Sequence, residues 1–303
     1  MTLLRLTQRN ILIYIRNRST VFYSLMSMLI IIALMAIFLG DANRDNVIDL
    51  LQQYGGPRDA AADSAGAKQL ILLWTLAGVI SVNSVTITLM MIGHMVEDED
   101  EQRLSSFYVA PVNRAVLVMG YILGAVIMGI VMCLLTLAAG EVMVWLTGGT
   151  VLSFASFIRI LFYIILNVFM SSSMMFFIIN FVHSHSAFSG LSTIIGTLVG
   201  FLSAIYLPMG ELPANIQKVL KCFPLLHGSS LMREVLTKEV LAETFKNCPA
   251  ELTEGFMNYM GITINWGNQA VSSQIKVAFM LISGIILILV SALIQRKRIT
   301  VIR

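Results

Sequence analysis

Residues 70–93, LILLWTLAGVISVNSVTITLMMIG, run for 24 positions without one charged side chain. A helix needs about 20 mostly apolar residues to cross roughly 30 Å of hydrocarbon, and this stretch supplies them. Segments on both sides repeat the pattern. Val21–Gly40, Val116–Leu146, Phe157–Val182, Ala187–Leu207 and Ile275–Ile294 are also long and apolar. Together they predict an all-α membrane protein with six spans. Composition points the same way: 57% of residues are hydrophobic and 12% charged, against about 25% charged in an ordinary soluble chain. A surface so poor in charge must meet lipid, which excludes a soluble globular enzyme. The net charge of +3 comes without a dense basic run and gives no sign of a nucleic-acid partner. The first apolar run is too long for a signal-peptide core and lacks a small-residue cleavage site, so it reads as an uncleaved span.

Six spans put both termini on one side, and Lys and Arg near the span ends say which. One face carries ten, among them Arg5, Arg9, Arg16 and Arg18 before the first span and Arg296, Lys297, Arg298 and Arg303 after the last. The other face also carries ten, but six lie in or beside residues 208–274, and loops longer than about 60 residues report orientation poorly. Ten against four predicts cytoplasmic termini and a multi-pass protein. Four regions follow: an interfacial helix over 1–20, spans one to five over 21–207, an extracellular segment over 208–274, and the sixth span with its tail over 275–303. Residues 41–69 are expected outside and partly irregular, and residues 94–115 form a cytoplasmic loop.

Thr2–Asn17 is amphipathic. Arg5, Arg9 and Arg16 share one stripe while Leu4, Ile11 and Ile15 lie on another face, the pattern of a helix lying in the membrane surface; the same arginines also serve to set topology. The 94–115 segment holds five consecutive acids, Glu97 to Glu101, then Leu104, Phe107 and Tyr108 at helical spacing, then Pro111. The acids read as exposed charge. The apolar triplet needs something to bury it, and a short helix presented to a partner would do so.

Within the spans, Asn83 and Thr86 make the second helix polar, and Thr193 and Thr197 do so for the fifth, beside Gly196-x-x-x-Gly200. Small and hydroxylated residues serve close helix packing or line a substrate path; both readings stand. Gly120-x-x-x-Gly124 in the third span reads as packing. Glu141 sits a few residues from the outer end of the third span, at headgroup level. Cys133 is expected to be inert, whereas Cys222 and Cys248 both fall in the outer segment, as free thiols or as a pair. His183 and His185 have no further ligands nearby for a metal. The sequence has no phosphate-binding loop, since Gly-Lys never occurs, and no metalloprotease or serine-hydrolase motif. The buried ionisable groups of ion-coupled carriers are missing as well. Energy for uphill movement would have to enter from a partner.

One stretch suggests which partner. From Phe201 the chain reads FLSAIYLPMGELPANIQKVLKCFPLLHGSSLMREVL: a span ends near Pro208, a short helix follows Leu212-Pro213, Phe223-Pro224 breaks it, and another helix runs through Arg233. This resembles the fifth-span exit of type-2 ATP-binding cassette permeases, where a re-entrant helical hairpin turns back into the outer leaflet. The 97–119 region, with Ala110-Pro111-Val112 before Arg114, is similar to theirs too, and the resemblance covers essentially the whole chain. Two departures stand out. Ala204 replaces a glycine common at the exit, and the segment after Arg233 is long, similar to the outer subdomain of the G-subfamily multidrug and lipid exporters.

The resemblance implies two permease halves forming a path and two cytoplasmic subunits that bind ATP and magnesium; this chain itself needs no cofactor. It implies that Glu97, Glu101, Leu104, Phe107, Tyr108 and Pro111 form the coupling element, that Asn83, Thr86, Thr193 and Thr197 line the path, and that Cys222 pairs with Cys248. The expected cargo is a drug, an antibiotic peptide or a lipid exported across the cell membrane. A polysaccharide or ion exporter is the runner-up, and a non-transporting sensor or immunity protein the reading from another class.

Overall fold

A computed structural model of the chain describes residues 2–34, 40–56, 58–104, 114–267 and 269–301. Its axis is the helix predicted from residues 70–93, which proves much longer than that stretch. This helix, α4, runs Ala60–Asp100, and 41 residues at 1.5 Å each reach about 60 Å, twice the hydrocarbon thickness. Asp59 caps its start, accepting from the Ala61 N–H at 3.0 Å. Its far end carries four of the five acids. From Leu70 to Val96 nearly every residue is buried, as expected of a helix that is apolar on all sides.

The other elements surround α4. Before it come α1 (Thr2–Arg16), α2 (Arg18–Leu34) and α3 (Gly40–Tyr54). After it come α5 (Arg114–Leu146), α6 (Phe154–Ile179) and α7 (His185–Leu202). Four short helices, α8 (Ala214–Lys221), α9 (Pro224–Leu236), α10 (Lys238–Thr244) and α11 (Ala250–Tyr259), build the segment before the final helix α12, Ser273–Val301. Two two-residue strands, Asn265–Trp266 and Gln269–Ala270, pair antiparallel beside it. Helices α5, α6, α7, α9, α3 and α10 pack on α4, while α12 packs on α6 and α9. Among the described residues five helices, α4, α5, α6, α7 and α12, are long and apolar enough to cross a membrane. The expected first span corresponds to α2, and its end at 35–39 lies outside the described residues.

Two expectations are sharpened. The irregular part of 41–69 is confined, among the described residues, to 55–56 and 58–59; the rest is helical, because α3 and the first turns of α4 bury Val47, Leu51 and Ala67 together. The loop expected over 94–115 begins after Asp100 and not at 94, because the acid run continues α4.

Polar side chains in the spans hold the bundle together. Asn83 donates to the Thr136 hydroxyl at 2.8 Å. Asn167 donates to Ser84 Oγ at 2.9 Å, and Ser84 meets Ser171 at 2.9 Å. Hydrogen bonds between helices are the means by which such residues tie spans in hydrocarbon. The Gly120/Gly124 pair packs as expected, and its partner is α1: a methyl group added at Gly120 would stand 2.8 Å from Leu6, and one at Gly124 3.3 Å from Asn10. On the other side of the bundle α9 comes close to the middle of α6, since a methyl at Gly228 would lie 2.2 Å from Asn167 Oδ1.

Candidate functional site

The acid run does not behave as a solvated loop. Asp98 is buried, and its Oδ2 accepts from Arg9 Nη2 at 2.7 Å and from the Tyr121 hydroxyl. Arg103 lies 3.5 Å from the other oxygen. One carboxylate thus joins α1, the end of α4 and the start of α5. Burial works against the Arg9 charge, but the bonds to Asp98 and Tyr121 outweigh it and hold its pKa above the ordinary arginine value. Glu97 pairs with His94 at 3.0 Å and lies 3.9 Å from His185. Asp100 accepts from the His185 N–H at 3.2 Å, which brings in the start of α7. Glu101 pairs with Arg103.

Leu104, read from the sequence as an anchor for a partner, is 5% exposed and belongs to the chain's own core. Its N–H returns to the Asp98 carbonyl at 3.2 Å, which turns the side chain inward. Phe107, Tyr108 and Pro111 lie outside the described residues. On α1, Arg5 and Arg16 are exposed, and so are Leu4 and Ile15 on the apolar side. Arg9 alone of the stripe turns in.

The four expected path residues separate into two pairs. Asn83 faces α5 and is used up by Thr136; Thr86, half-buried, bonds only back to the Asn83 carbonyl at 3.4 Å. These do not line an open path within the subunit, because α5 and α6 cover α4. Thr193 and Thr197 are exposed on α7, with hydroxyls turned to the helix's own carbonyls at 3.1 and 2.9 Å. Nothing lies within 4 Å of a methyl placed at Gly190 or Gly196. Of the Gly196/Gly200 pair, only Gly200 packs inside the chain, under the Tyr206 ring at 2.2 Å.

At the exit of α7 the backbone turns through Ala204, which holds φ at +49°. That left-handed conformation suits glycine, which accounts for the residue the resemblance leads one to expect there. Arg233, fully buried, secures the turn: Nη2 donates to the Ser203 and Ala204 carbonyls at 3.2 and 2.8 Å, and the guanidinium stacks on Trp74 at 4.4 Å. Trp74 in turn donates to the Met260 carbonyl at 2.7 Å. Lys276, buried at the start of α12, pairs with Glu234 and donates to Ser230 at 2.8 Å.

The sequence places Arg9 in the surface-helix stripe and counts Arg9 and Arg233 among the topology charges, and neither reading reaches these roles. A lysine inside an apolar span was itself a signal that an acid must meet it. The Asp98 contacts had no local signal, since Arg9 lies 89 residues away.

The cysteine pairing is corrected. Cys222 and Cys248 are both free. Cys222 is exposed at the end of α8, beside His227 and Trp266, whereas Cys248 packs toward the α10–α11 core with Arg58 at 3.9 Å. Cys133 is buried, as expected. Glu141 accepts from the Leu152 N–H at 2.9 Å. Among the described residues no cluster of three or more His, Cys, Asp or Glu could hold a metal.

No curated protein sequence matches the chain. A family model described as ABC-2 family transporter protein matches residues 57–294, from just before α4 through the apolar part of α12, so that the match takes in the long central helix, the α7 exit and the helical segment that follows it. The chain therefore belongs to the ABC-2 transporter family: it is a transmembrane subunit of an ATP-binding cassette transporter, a transport component rather than itself a catalyst, of a kind that works with an ATP-binding cassette partner.

Proposed function

We propose that the chain is the permease of an ATP-driven exporter moving a hydrophobic or amphipathic compound, such as a drug, an antibiotic peptide or a lipid, outward across the cell membrane. Two copies, or this chain and a homologous half, meet along α7. Both termini are cytoplasmic, and residues 208–274 lie outside, with α8 and α9 as a re-entrant hairpin. ATP and magnesium bind the partner subunits.

The observation that carries this reading is α7 itself. It is apolar enough to span, yet among the described residues it packs chiefly on α4; a methyl at Gly190 or Gly196 would meet nothing within 4 Å, and Thr193 and Thr197 are exposed beside them. Small and hydroxylated residues on an uncovered helix face suit close contact with a second helix in lipid, and their hydroxyls give an amphipathic cargo a mildly polar surface. The cytoplasmic end supports the other half of the reading. The bonds of Asp98 join α1, α4 and α5, so force applied at the acid run reaches three helices together.

The test is a complex with the ATP-binding subunit at matched expression. Phe107→Ala should insert normally but weaken the subunit contact by about 2 kcal/mol, with loss of transport and of cargo-stimulated ATP hydrolysis. Wild-type values for both would remove Phe107 from the coupling surface. Failure of the chain to co-purify with any ATP-binding subunit would favour a sensor instead.

A further inference from the structure

Glu141 has no counterpart in the coupling or path readings. It stands near the end of α5, where it lines a cavity of 550 Å3 with Leu134, Leu137, Leu152, Phe154 and Phe157. One oxygen, Oε2, accepts from the Leu152 N–H; the other, Oε1, is buried and has no hydrogen-bond partner. It is the one titratable group in the lining. An ionised carboxylate half-satisfied among leucines and phenylalanines is costly unless an opposite charge meets it or a proton neutralises it. A cation that enters the cavity favours the ionised form. The cavity is of the size that holds drug-like molecules. Phe154 and Phe157, 80% and 39% exposed, stand on its rim, so it opens at the bundle surface, and aromatic faces attract cations.

We propose that this cavity binds lipophilic monocations, amphiphiles that bring one positive charge to Oε1 and lay an apolar body against the leucines and phenylalanines. The charge of the occupant follows from the carboxylate, and its apolar body from the walls. The inference rests on the exporter reading only in making such a cation a cargo; binding by the chain alone does not depend on it.

The test uses the full chain purified into phosphatidylcholine nanodiscs, without an ATP-binding subunit. Its probes are tetraphenylphosphonium and tetraphenylborate, a cation and an anion of the same shape. The wild-type chain should bind the cation saturably and the anion at least tenfold more weakly. Glu141→Gln keeps an acceptor for the Leu152 N–H but loses the charge, and should weaken cation binding at least tenfold. Ala138→Trp, at an exposed lining position, should close the cavity with Glu141 intact and have the same effect, which covers the case in which the glutamine variant fails to fold. Unchanged cation affinity in either folded variant, or no saturable binding by the wild type, overturns the proposal. An assembled complex that exports an uncharged compound while the chain ignores the cation would refute this site and leave the exporter reading standing.

Discussion

Helices α4 and α7 are both long and apolar enough to span, and both are dotted with small and hydroxylated residues, yet the fold uses them in opposite ways. In α4 those residues are consumed: Asn83 by Thr136, Ser84 by Asn167 and Ser171. In α7 Thr193 and Thr197 turn back on their own helix, and a methyl at Gly196 would meet none of the described residues within 4 Å. Composition alone does not separate a packing helix from an interface helix. What separates them is how many neighbours surround the helix, and α4 has them on every side. Substitutions along the two helices should therefore differ in kind, with those on α4 damaging the subunit and those on α7 damaging what the subunit binds.

The largest expected effect lies at the seam between the two. A methyl at Gly93 would stand 2.1 Å from the Phe188 ring, one of the few buried residues of α7. Gly93→Val should destabilise the chain by about 3 kcal/mol, at the upper end for overpacking, and lower the midpoint of thermal unfolding in detergent. An unchanged midpoint would mean that α7 is not held by this contact.

Next is Asp98. Removing one partner of a buried pair costs about 3–5 kcal/mol, but the Arg9 side chain is 28% exposed and solvent can recover part of its charge. Asp98→Asn should therefore cost about 2 kcal/mol, more than any single change among its exposed neighbours, since exposed charges are worth little one at a time. Glu99→Gln, measured beside it, should fall within about 0.5 kcal/mol of wild type. Equal effects for the two would show that Asp98 is not the joint between α1, α4 and α5.

These contrasts mark how far the sequence was legible. The spans could be read because lipid imposes a long apolar run, and Gly120 and Gly124 because small residues four apart make a groove. The extent of α4 could not: five acids in a row look like a solvated loop, and only partners brought in by the fold, Arg9 and Tyr121, let Asp98 be buried in a helix. Leu104 misled for a related reason, since an apolar residue in a loop needs burial but does not say whether its own chain or a partner supplies it. A shared segment leaves the cysteine pair open and the resemblance favours it, but the fold gives the two thiols different surroundings. Ala204 departs from the glycine that the resemblance implies, and only its positive φ gives that departure a meaning.

That position gives a smaller effect. Ala204→Gly removes the strain of a left-handed alanine but also a methyl buried against Leu226 and its neighbours. The two terms are each about 1 kcal/mol and nearly cancel, so the variant should unfold within about 1 kcal/mol of wild type. Ala204→Val adds a β-branched side chain where the backbone least accepts one and should lose folded protein. If the valine variant unfolded like wild type, the turn would not hold its positive φ in the membrane.

The smallest effect on the subunit should come from the open face of α7. At Gly196 an added side chain meets nothing within 4 Å, and valine is a slightly better helix former than glycine. Gly196→Val should leave the unfolding midpoint of the isolated chain within about 0.5 kcal/mol of wild type, as substitutions away from any contact usually do. Its consequence should appear only in the assembly. If α7 meets a second permease half through Gly196, two branched side chains hold the helices apart, and the fraction of paired chains crosslinked through cysteines placed at Thr193 should fall, with transport falling alongside. Gly190→Ala, a smaller addition on the same open stretch, should reduce crosslinking less. A destabilised monomer would mean that the face is packed within the subunit; a stable monomer with undiminished crosslinking and transport would mean that the halves meet elsewhere. Either result removes the contrast between the two helices, because α7 would then be a packing helix like α4 or a span with no partner at all.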